Sequence, residues 1–331
     1  MQWFRGLDAV PAGFGPSVVT IGNFDGVHRG HQAVLAGVVA AARRRGLLSV
    51  AVTFEPHPVA VLFPERAPAV LTTPEHRLEL LAATGLDAVL VIEFTVEFAH
   101  WSPERFVRDV FVDTVHARLV VVGRDTRFGY RNSGDVSTLR GLGATFGFDV
   151  QLVDEAGVPK AGREGARRWS SSWVRELLVE GDVTAAAGIL GRPHRMTGVV
   201  VHGDHRGREL GYPTANLARD AIGQVPADGV YAGRLLRPSL PPGAPDVVLP
   251  AAISIGTNPT FDGTQRRVEA YVLDRDDLEL YGERVALEFV ERLRPTLRFD
   301  GVDALVAQMA QDVARSRDVL GVPQPSATSG P

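Results

Sequence analysis

Two histidines three residues apart, His28 and His31, follow the run Val18-Val19-Thr20-Ile21 and the turn-forming stretch Gly22-Asn23-Phe24-Asp25-Gly26. The apolar, β-branched run reads as a buried strand. Ala33-Val34-Leu35 and Val38-Val39 continue at helical spacing, so both imidazoles fall on one face of a first helical turn. That turn carries unpaired N–H groups and the positive end of the helix dipole, which favour phosphate. Two readings stand on the residues alone: a phosphate seat, and a surface helix that begins with two histidines. A zinc site is disfavoured, because no third His or Cys lies nearby at ligand spacing.

Other groups invite the same weighing. In Arg168-Trp169-Ser170-Ser171-Ser172-Trp173-Val174-Arg175, serine hydroxyls stand at a helix start with Arg175 one turn inside. Such hydroxyls either cap the helix or donate to phosphate. Prolines restrict the backbone on both sides of His57, which reads as a rigid turn with a solvated imidazole or as a site residue. Gly198, Gly203, Gly207 and Gly211 let the backbone approach a ligand closely and expose N–H groups to anions. Thr214 and Asn216 share a side of an extended segment and offer hard oxygen donors suited to Mg²⁺, or they form an ordinary turn and strand. Glu269 points away from the face carrying Val268, Ala270 and Val272, where a solvated carboxylate paired with a neighbouring arginine is the plain reading.

Composition narrows the classes. The 331 residues are 45% hydrophobic and 22% charged, enough for two globular domains with their own cores. A net charge of −4 gives no reason to expect nucleic acid or an anionic membrane as partner. With no cysteine, disulfides, thiol nucleophiles and cysteine-ligated metals are excluded. The N-terminus lacks a basic segment followed by an apolar core, and no apolar run approaches spanning length, so a cytoplasmic protein is expected. Only Lys160 among the 35 basic residues is lysine, and no Gly-x-x-x-x-Gly-Lys-Ser/Thr sequence occurs, which rules out a P-loop kinase. Phosphoryl transfer must rely on arginine, backbone amides and a metal ion.

The elements that must position these groups follow a simple rhythm. Strand-like runs at 18–21, 49–54, 88–92, 119–122 and 150–153 alternate with helical patterns at 32–45, 74–83, 103–112 and 136–143. This predicts an α/β doubly wound parallel sheet, with ligands at the carboxyl ends of strands. Residues 154–169 are Gly- and Arg-rich without periodicity, and two short helices follow at 172–179 and 183–190. After Gly191-Arg192-Pro193 the pattern changes to strands at 197–201, 213–217, 230–236, 247–255, 267–273 and 284–290. A small antiparallel β-barrel domain is expected there, then an amphipathic C-terminal helix at 302–320. The expected domains are 1–190 and 191–322, with a disordered tail at 323–331.

Gly22-Asn23-Phe24-Asp25-Gly26-Val27-His28-Arg29-Gly30-His31 resembles the signature of bacterial FAD synthetases, a branch of the HxGH nucleotidyltransferases. Gly207-Arg208-Glu209-Leu210-Gly211-Tyr212-Pro213-Thr214-Ala215-Asn216-Leu217 resembles the Pro-Thr-Ala-Asn motif of riboflavin kinases. Together they resemble the bifunctional riboflavin kinase/FAD synthetase family over about Val18 to Leu320. The resemblance implies an HxGH-type first domain that transfers the adenylyl group of ATP to FMN, and a riboflavin-kinase-type barrel that makes FMN from riboflavin and ATP with Mg²⁺.

For the first domain it implies that His28 and His31 meet the ATP phosphates, with Gly22 and Asn23 lining the approach. Arg168, Ser171, Ser172 and Arg175 stand where the family has an arginine and Ser-Ser-Thr-x-x-Arg; Ser172 replaces the threonine and keeps the hydroxyl. Asp125 falls in a block usually reading Gly-x-Asp/Asn-Phe-x-Phe-Gly, where it binds flavin or holds the site together. Thr126 stands there in place of phenylalanine. Thr53-Phe54-Glu55-Pro56-His57-Pro58 and Ser254-Ile255-Gly256-Thr257-Asn258-Pro259-Thr260-Phe261 match further family blocks. For the barrel, the resemblance implies ATP phosphates near Gly207 and Gly211, Mg²⁺ on Thr214 and Asn216, and Glu269 as the base. Arg298, before the last helix, would help close over the flavin. Two rivals are weighed: an adenylyltransferase whose second domain has become a flavin-binding regulatory module, and a non-enzymatic flavin carrier. Intact Thr214, Asn216 and Glu269 oppose the first, and the complete His28/His31 and Ser171/Ser172/Arg175 set opposes the second. The oligomeric state is not readable from the sequence.

Overall fold

A computed structural model describes residues 1–153, 167–203, 210–257 and 266–323. Lys160, Gly207, the stretch Asn258-Pro259-Thr260-Phe261 and the tail from 324 onward lie outside the described residues. The chain divides into two units, Met1–Pro68 with Pro74–Ser170, and Ala69–Thr73 with Ser171–Pro331. The second unit therefore begins ahead of the Gly191-Arg192-Pro193 break and takes in both short helices.

In the first unit six strands pair in parallel: β1 (Gln2–Arg5), β2 (Ser17–Ile21), β3 (Leu48–Glu55), β4 (Ala88–Glu93), β5 (Ala117–Gly123) and β6 (Asp149–Val153). Their order is β1-β4-β3-β2-β5-β6. The strands are apolar throughout because both faces are covered, and successive residues part to opposite sides. Val18, Ala51, Val89 and Leu119 join the stripe Leu35, Val38, Val39, Ala41 and Ala42 of helix α1 (Arg29–Arg45) in one core. Val19, Val50, Val52, Leu90 and Val120 join Phe106, Val110, Phe111 and Leu139 in the other. Helices α2 (Pro74–Ala82), α3 (Pro103–Phe106) and α4 (Val136–Phe146) complete the main alternation.

Two elements differ from the pattern read in sequence. β1 was hidden because three of its four residues are exposed, Trp3 among them, so no buried run marks it. The helix expected over 103–112 runs from α3 into π-helical turns at Val107–Thr114. There Val115 N–H reaches the carbonyl of Val110, and Thr114 Oγ1 donates to Asp109 O at 2.6 Å. The wider turn lets Val107, Val110 and Phe111 all face the core.

The order of the sheet reverses between β2 and β5, so the crevice at their carboxyl ends is the topological switch point where such sheets bind ligands. His28 and His31 follow β2; Asp125 follows β5.

The second unit opens with α5 (Ser171–Glu180) and α6 (Val183–Leu190), then closes a barrel from β7 (His194–Val201), β8 (Thr214–Leu217), β9 (Gly229–Leu236), β10 (Val248–Thr257), β11 (Arg266–Val272) and β12 (Arg284–Arg294). All its pairings are antiparallel, in the order β10-β11-β8-β7-β12-β9. Packing is tight: a Cβ at Gly233 would come 2.3 Å from Glu288 O and 2.4 Å from Ile253 Cδ1. The final helix, α6's distant successor α7 (Val302–Leu320), buries Asp312, Ser316 and Arg317 rather than an apolar stripe. Asp312 takes a bidentate grip from Arg294 at 2.6–3.1 Å, and Arg317 pairs with Asp274.

His194 on β7 is 1% exposed and donates from Nε2 to Gln224 O at 2.7 Å. Burial pushes its pKa down to about 4, and Arg192 adds to the effect while the hydrogen bond opposes it. A depressed folded-state pKa means that the unfolded chain binds the proton first as pH falls. Stability is then full above pH ~6.5 and is lost between there and about 4, by roughly 3 kcal/mol. Urea unfolding of the barrel should therefore weaken more steeply with acid in the wild type than in His194→Gln.

Candidate active sites

The turn after β2 is made with three left-handed residues: Phe24 (φ 49°), Gly26 (φ 79°) and Val27 (φ 37°). Phe24 and Val27 accept that conformation while buried in the core on the α1 side, which anchors the turn. His28 then caps α1, its Nδ1 accepting the His31 N–H at 3.3 Å. The two rings stack with centroids 3.7 Å apart and planes 19° from parallel. Gly30 lies between them, and a Cβ there would crowd the His28 ring at 3.0 Å from Cε1. Phe24 meets His31 edge-on at 5.2 Å.

His31 is held well below the ordinary histidine range, first by burial, then by His28 and Arg168. Its Nδ1 is buried without a hydrogen-bond partner among the described residues. The first turn of α1 contains no acidic residue. A helix N-terminus whose first turn holds no carboxylate favours an anion, and the low pKa of His31 keeps that ring neutral beside it.

Around it, Asn23 is fixed from both ends. Its amide meets His57 Nε2 at 3.3 Å, and its carbonyl accepts from Thr53 Oγ1 at 3.2 Å and Arg77 Nη1 at 3.4 Å. His57 caps the short helix Pro58–Leu62, its Nδ1 accepting from Val59 N–H at 3.2 Å. The imidazole is thus engaged on both nitrogens. Asp125 pairs with Arg168 at 2.7 Å, with both side chains half exposed. Thr126 sits in the turn after β5, its N–H reaching Gly123 O; the aromatic nearby is Phe128, 5.9 Å from Phe106 in the core. Arg77 and Glu55 were not singled out in the sequence, where each reads as one more charge on a polar face.

In the second unit, Ser171 and Ser172 begin α5, and Arg175 Nε donates to Ala69 O at 2.7 Å. The barrel's chemistry-bearing residues are set by register. Asn216 on β8 lies directly opposite Glu269 on β11, and Thr214 opposite Tyr271, so Thr214, Asn216 and Glu269 share a face. Thr214 Oγ1 donates to Glu269 Oε2 at 3.4 Å, and Asn216 Nδ2 donates to Thr214 Oγ1 at 3.3 Å. Asn216 is 9% exposed, and Gly203 backs it so closely that a Cβ would come 2.5 Å from Nδ2.

A pocket beside this cluster is lined by Gly203, Pro213, Thr214, Asn216, Arg275 and Tyr281, among others. Tyr281 stacks on His202 with centroids 3.9 Å apart. Tyr281 and Arg275, which reach the pocket through the β11–β12 connection, carry no local motif that marks them in the sequence. Gly211 takes φ +83° with open space around it, and Arg298 is exposed between β12 and α7. Among the described residues no three His, Cys, Asp or Glu side chains gather as a metal site. Thr, Asn and Glu oxygens on one face form a sparse, hard donor set. That fits Mg²⁺, which keeps waters and substrate phosphate oxygens as its other ligands.

Comparison with known proteins agrees with this division. The family model described as FAD synthetase matches residues 12–162, and that described as riboflavin kinase matches 190–320. The chain is 36% identical over 310 residues to the bifunctional riboflavin kinase/FMN adenylyltransferase of Escherichia coli K12, covering 93% of this chain and 94% of that protein. It is 35% identical over 302 residues to the Listeria monocytogenes protein of the same name, covering 91% of each. A crystal structure described as a macrolide-efflux protein from Streptococcus pneumoniae superposes with a TM-score of 0.80 at 29% identity, covering 96% of this chain and 99% of that one. Efflux is said of that protein; here no helix among the described residues is long and apolar enough to cross a membrane.

The His31 environment predicts a spectroscopic result. In a ¹⁵N NMR titration of the unliganded protein, His31 should stay neutral to well below pH 6.5. Arg168→Ala should raise its midpoint, because one of the charges opposing protonation is gone. An unchanged midpoint in that variant would contradict the arrangement.

Proposed function

The chain belongs to the bifunctional riboflavin kinase/FMN adenylyltransferase family, and on that premise we propose which residues perform each of its two reactions. The protein phosphorylates riboflavin to FMN with ATP, then adenylylates FMN to FAD with release of pyrophosphate. The observation that carries the assignment is that the His28/His31 cluster and the Thr214/Asn216/Glu269 cluster belong to different compact units.

In adenylylation the FMN phosphate is already an anion, so its oxygen attacks the α-phosphorus of ATP without a general base. Positioning and charge neutralisation are what the protein must supply. His28 and His31 at the α1 N-terminus are proposed to meet the ATP phosphates, with Gly22 and Asn23 lining the approach. Arg168 adds a fixed positive charge oriented by Asp125, which we also assign to flavin binding. Ser171, Ser172 and Arg175 are proposed as further phosphate ligands.

Phosphorylation has a neutral nucleophile, the terminal ribityl hydroxyl. Glu269 is proposed to take its proton as the oxygen attacks the γ-phosphorus and ADP leaves. Thr214 and Asn216 would hold Mg²⁺, which neutralises phosphate charge when bound. Gly207 and Gly211 are assigned to the ATP phosphates, and Arg298 to closing over the flavin. Use of ATP in both steps supports a cytoplasmic location. The net charge of −4 supports small molecules, rather than nucleic acid or a membrane, as partners.

With ATP and FMN supplied, His28→Ala together with His31→Ala should abolish FAD formation and leave FMN formation from riboflavin intact; Glu269→Ala should do the reverse. Loss of both activities in either folded variant, read by flavin chromatography, would argue against separate sites. Gly203→Ala drives a methyl into the Asn216 amide. It should slow riboflavin phosphorylation by about 10–100-fold while sparing adenylylation of added FMN.

A further inference from the structure

The geometry points to Arg77 as a positioning residue for adenylyl transfer, acting through Asn23. Arg77 lies on α2 and is 6% exposed. Its Nη2 meets Glu55 Oε2 at 2.5 Å, and its Nη1 donates to Asn23 O at 3.4 Å. Thr53 Oγ1 donates to the same carbonyl, and the Asn23 side chain meets His57 Nε2. Glu55 and His57 are separated only by Pro56, so the contacts close a ring: Arg77, Glu55, His57, Asn23 and back to Arg77. The ring ties together the end of β3, the turn after β2 and α2.

Stability does not require an arginine here. A buried ion pair is commonly matched or bettered by apolar residues of similar volume, because both charges must be desolvated. Nε of Arg77 is also buried without a partner among the described residues, a further cost that an apolar side chain would avoid. An arginine does two things that an apolar residue cannot. It donates to the Asn23 carbonyl, fixing the backbone that carries the Asn23 amide. Its second arm also holds the Glu55 carboxylate, fixing the end of β3 two residues from His57.

This role rests on the reading that Asn23 lines the ATP approach, and the test separates the two claims. Adenylylation of added FMN is measured as kcat and KM for ATP in Arg77→Met, Arg77→Lys, Glu55→Gln and Asn23→Ala, with riboflavin phosphorylation read in the same preparations. Arg77→Met should lower kcat for adenylylation by about 10–100-fold and leave phosphorylation within about two-fold. Arg77→Lys, which restores the charge without the planar fork, should recover part of the loss. In an Asn23→Ala background, Arg77→Met should cost less than about two-fold more, because the residue it acts through is gone.

Wild-type adenylylation by Arg77→Met, or the same loss repeated in the Asn23→Ala background, would overturn the proposal. Undiminished adenylylation by Asn23→Ala alone would overturn the reading of Asn23 instead. If Arg77→Met melts below the assay temperature, Glu55→Gln decides: it keeps the volume and should lower kcat several-fold at unchanged phosphorylation, and a wild-type kcat there would equally overturn the role.

Discussion

The first unit's site follows from one electrostatic constraint: the N-terminus of α1 ends at the carboxyl edge of a parallel sheet with no acidic residue in its first turn. Its free N–H groups and dipole would ordinarily be capped by a carboxylate or hydroxyl. Here the cap is an imidazole, His28, and the ring stacked on it is kept uncharged by burial and by Arg168. The positive end of the α1 dipole therefore lies at the switch point between β2 and β5 with no carboxylate in its own first turn. The left-handed turn through Phe24, Gly26 and Val27 leads into that end, and the ring of contacts around Asn23 lies beside it.

The second unit meets a different demand. On the assignment proposed above, its nucleophile is neutral, and the carboxylate Glu269 stands close to the groups proposed to hold phosphate and cation. An antiparallel ladder provides this by register: Glu269 and Asn216 face each other across β11 and β8, and Thr214 lies two residues away on the same face. Gly203 lets the neighbouring backbone press against Asn216 and keeps its amide from turning. The proposed assignment thus gives a helix end to the charged nucleophile and a strand pair to the neutral one.

Much of this was legible in the sequence. The parallel strands were visible because both faces are buried, giving continuous runs such as Val18–Ile21 and Ala88–Ile92. The bounds of α6 and α7 agreed with the pattern, each ending at a left-handed glycine, Gly191 and Gly321. What stayed hidden shares a cause: it depends on partners distant in the chain. β1 is exposed at the sheet edge, and α7 buries Asp312 and Arg317 because Arg294 and Asp274 pair with them. Arg77 resembles any helix-surface cation until the fold sets Glu55 and Asn23 against it. Local periodicity records which face is apolar; it does not record which charges will be neutralised by another element.

On the proposed assignment, two separate sites on one chain are joined only by a diffusible product, FMN. Mixing the His28→Ala/His31→Ala protein with the Glu269→Ala protein, and supplying riboflavin, ATP and Mg²⁺, tests it directly. Each variant alone should fail to make FAD from riboflavin, and the mixture should make it after FMN accumulates. A mixture that forms FMN but no FAD, with both proteins folded, would contradict the account.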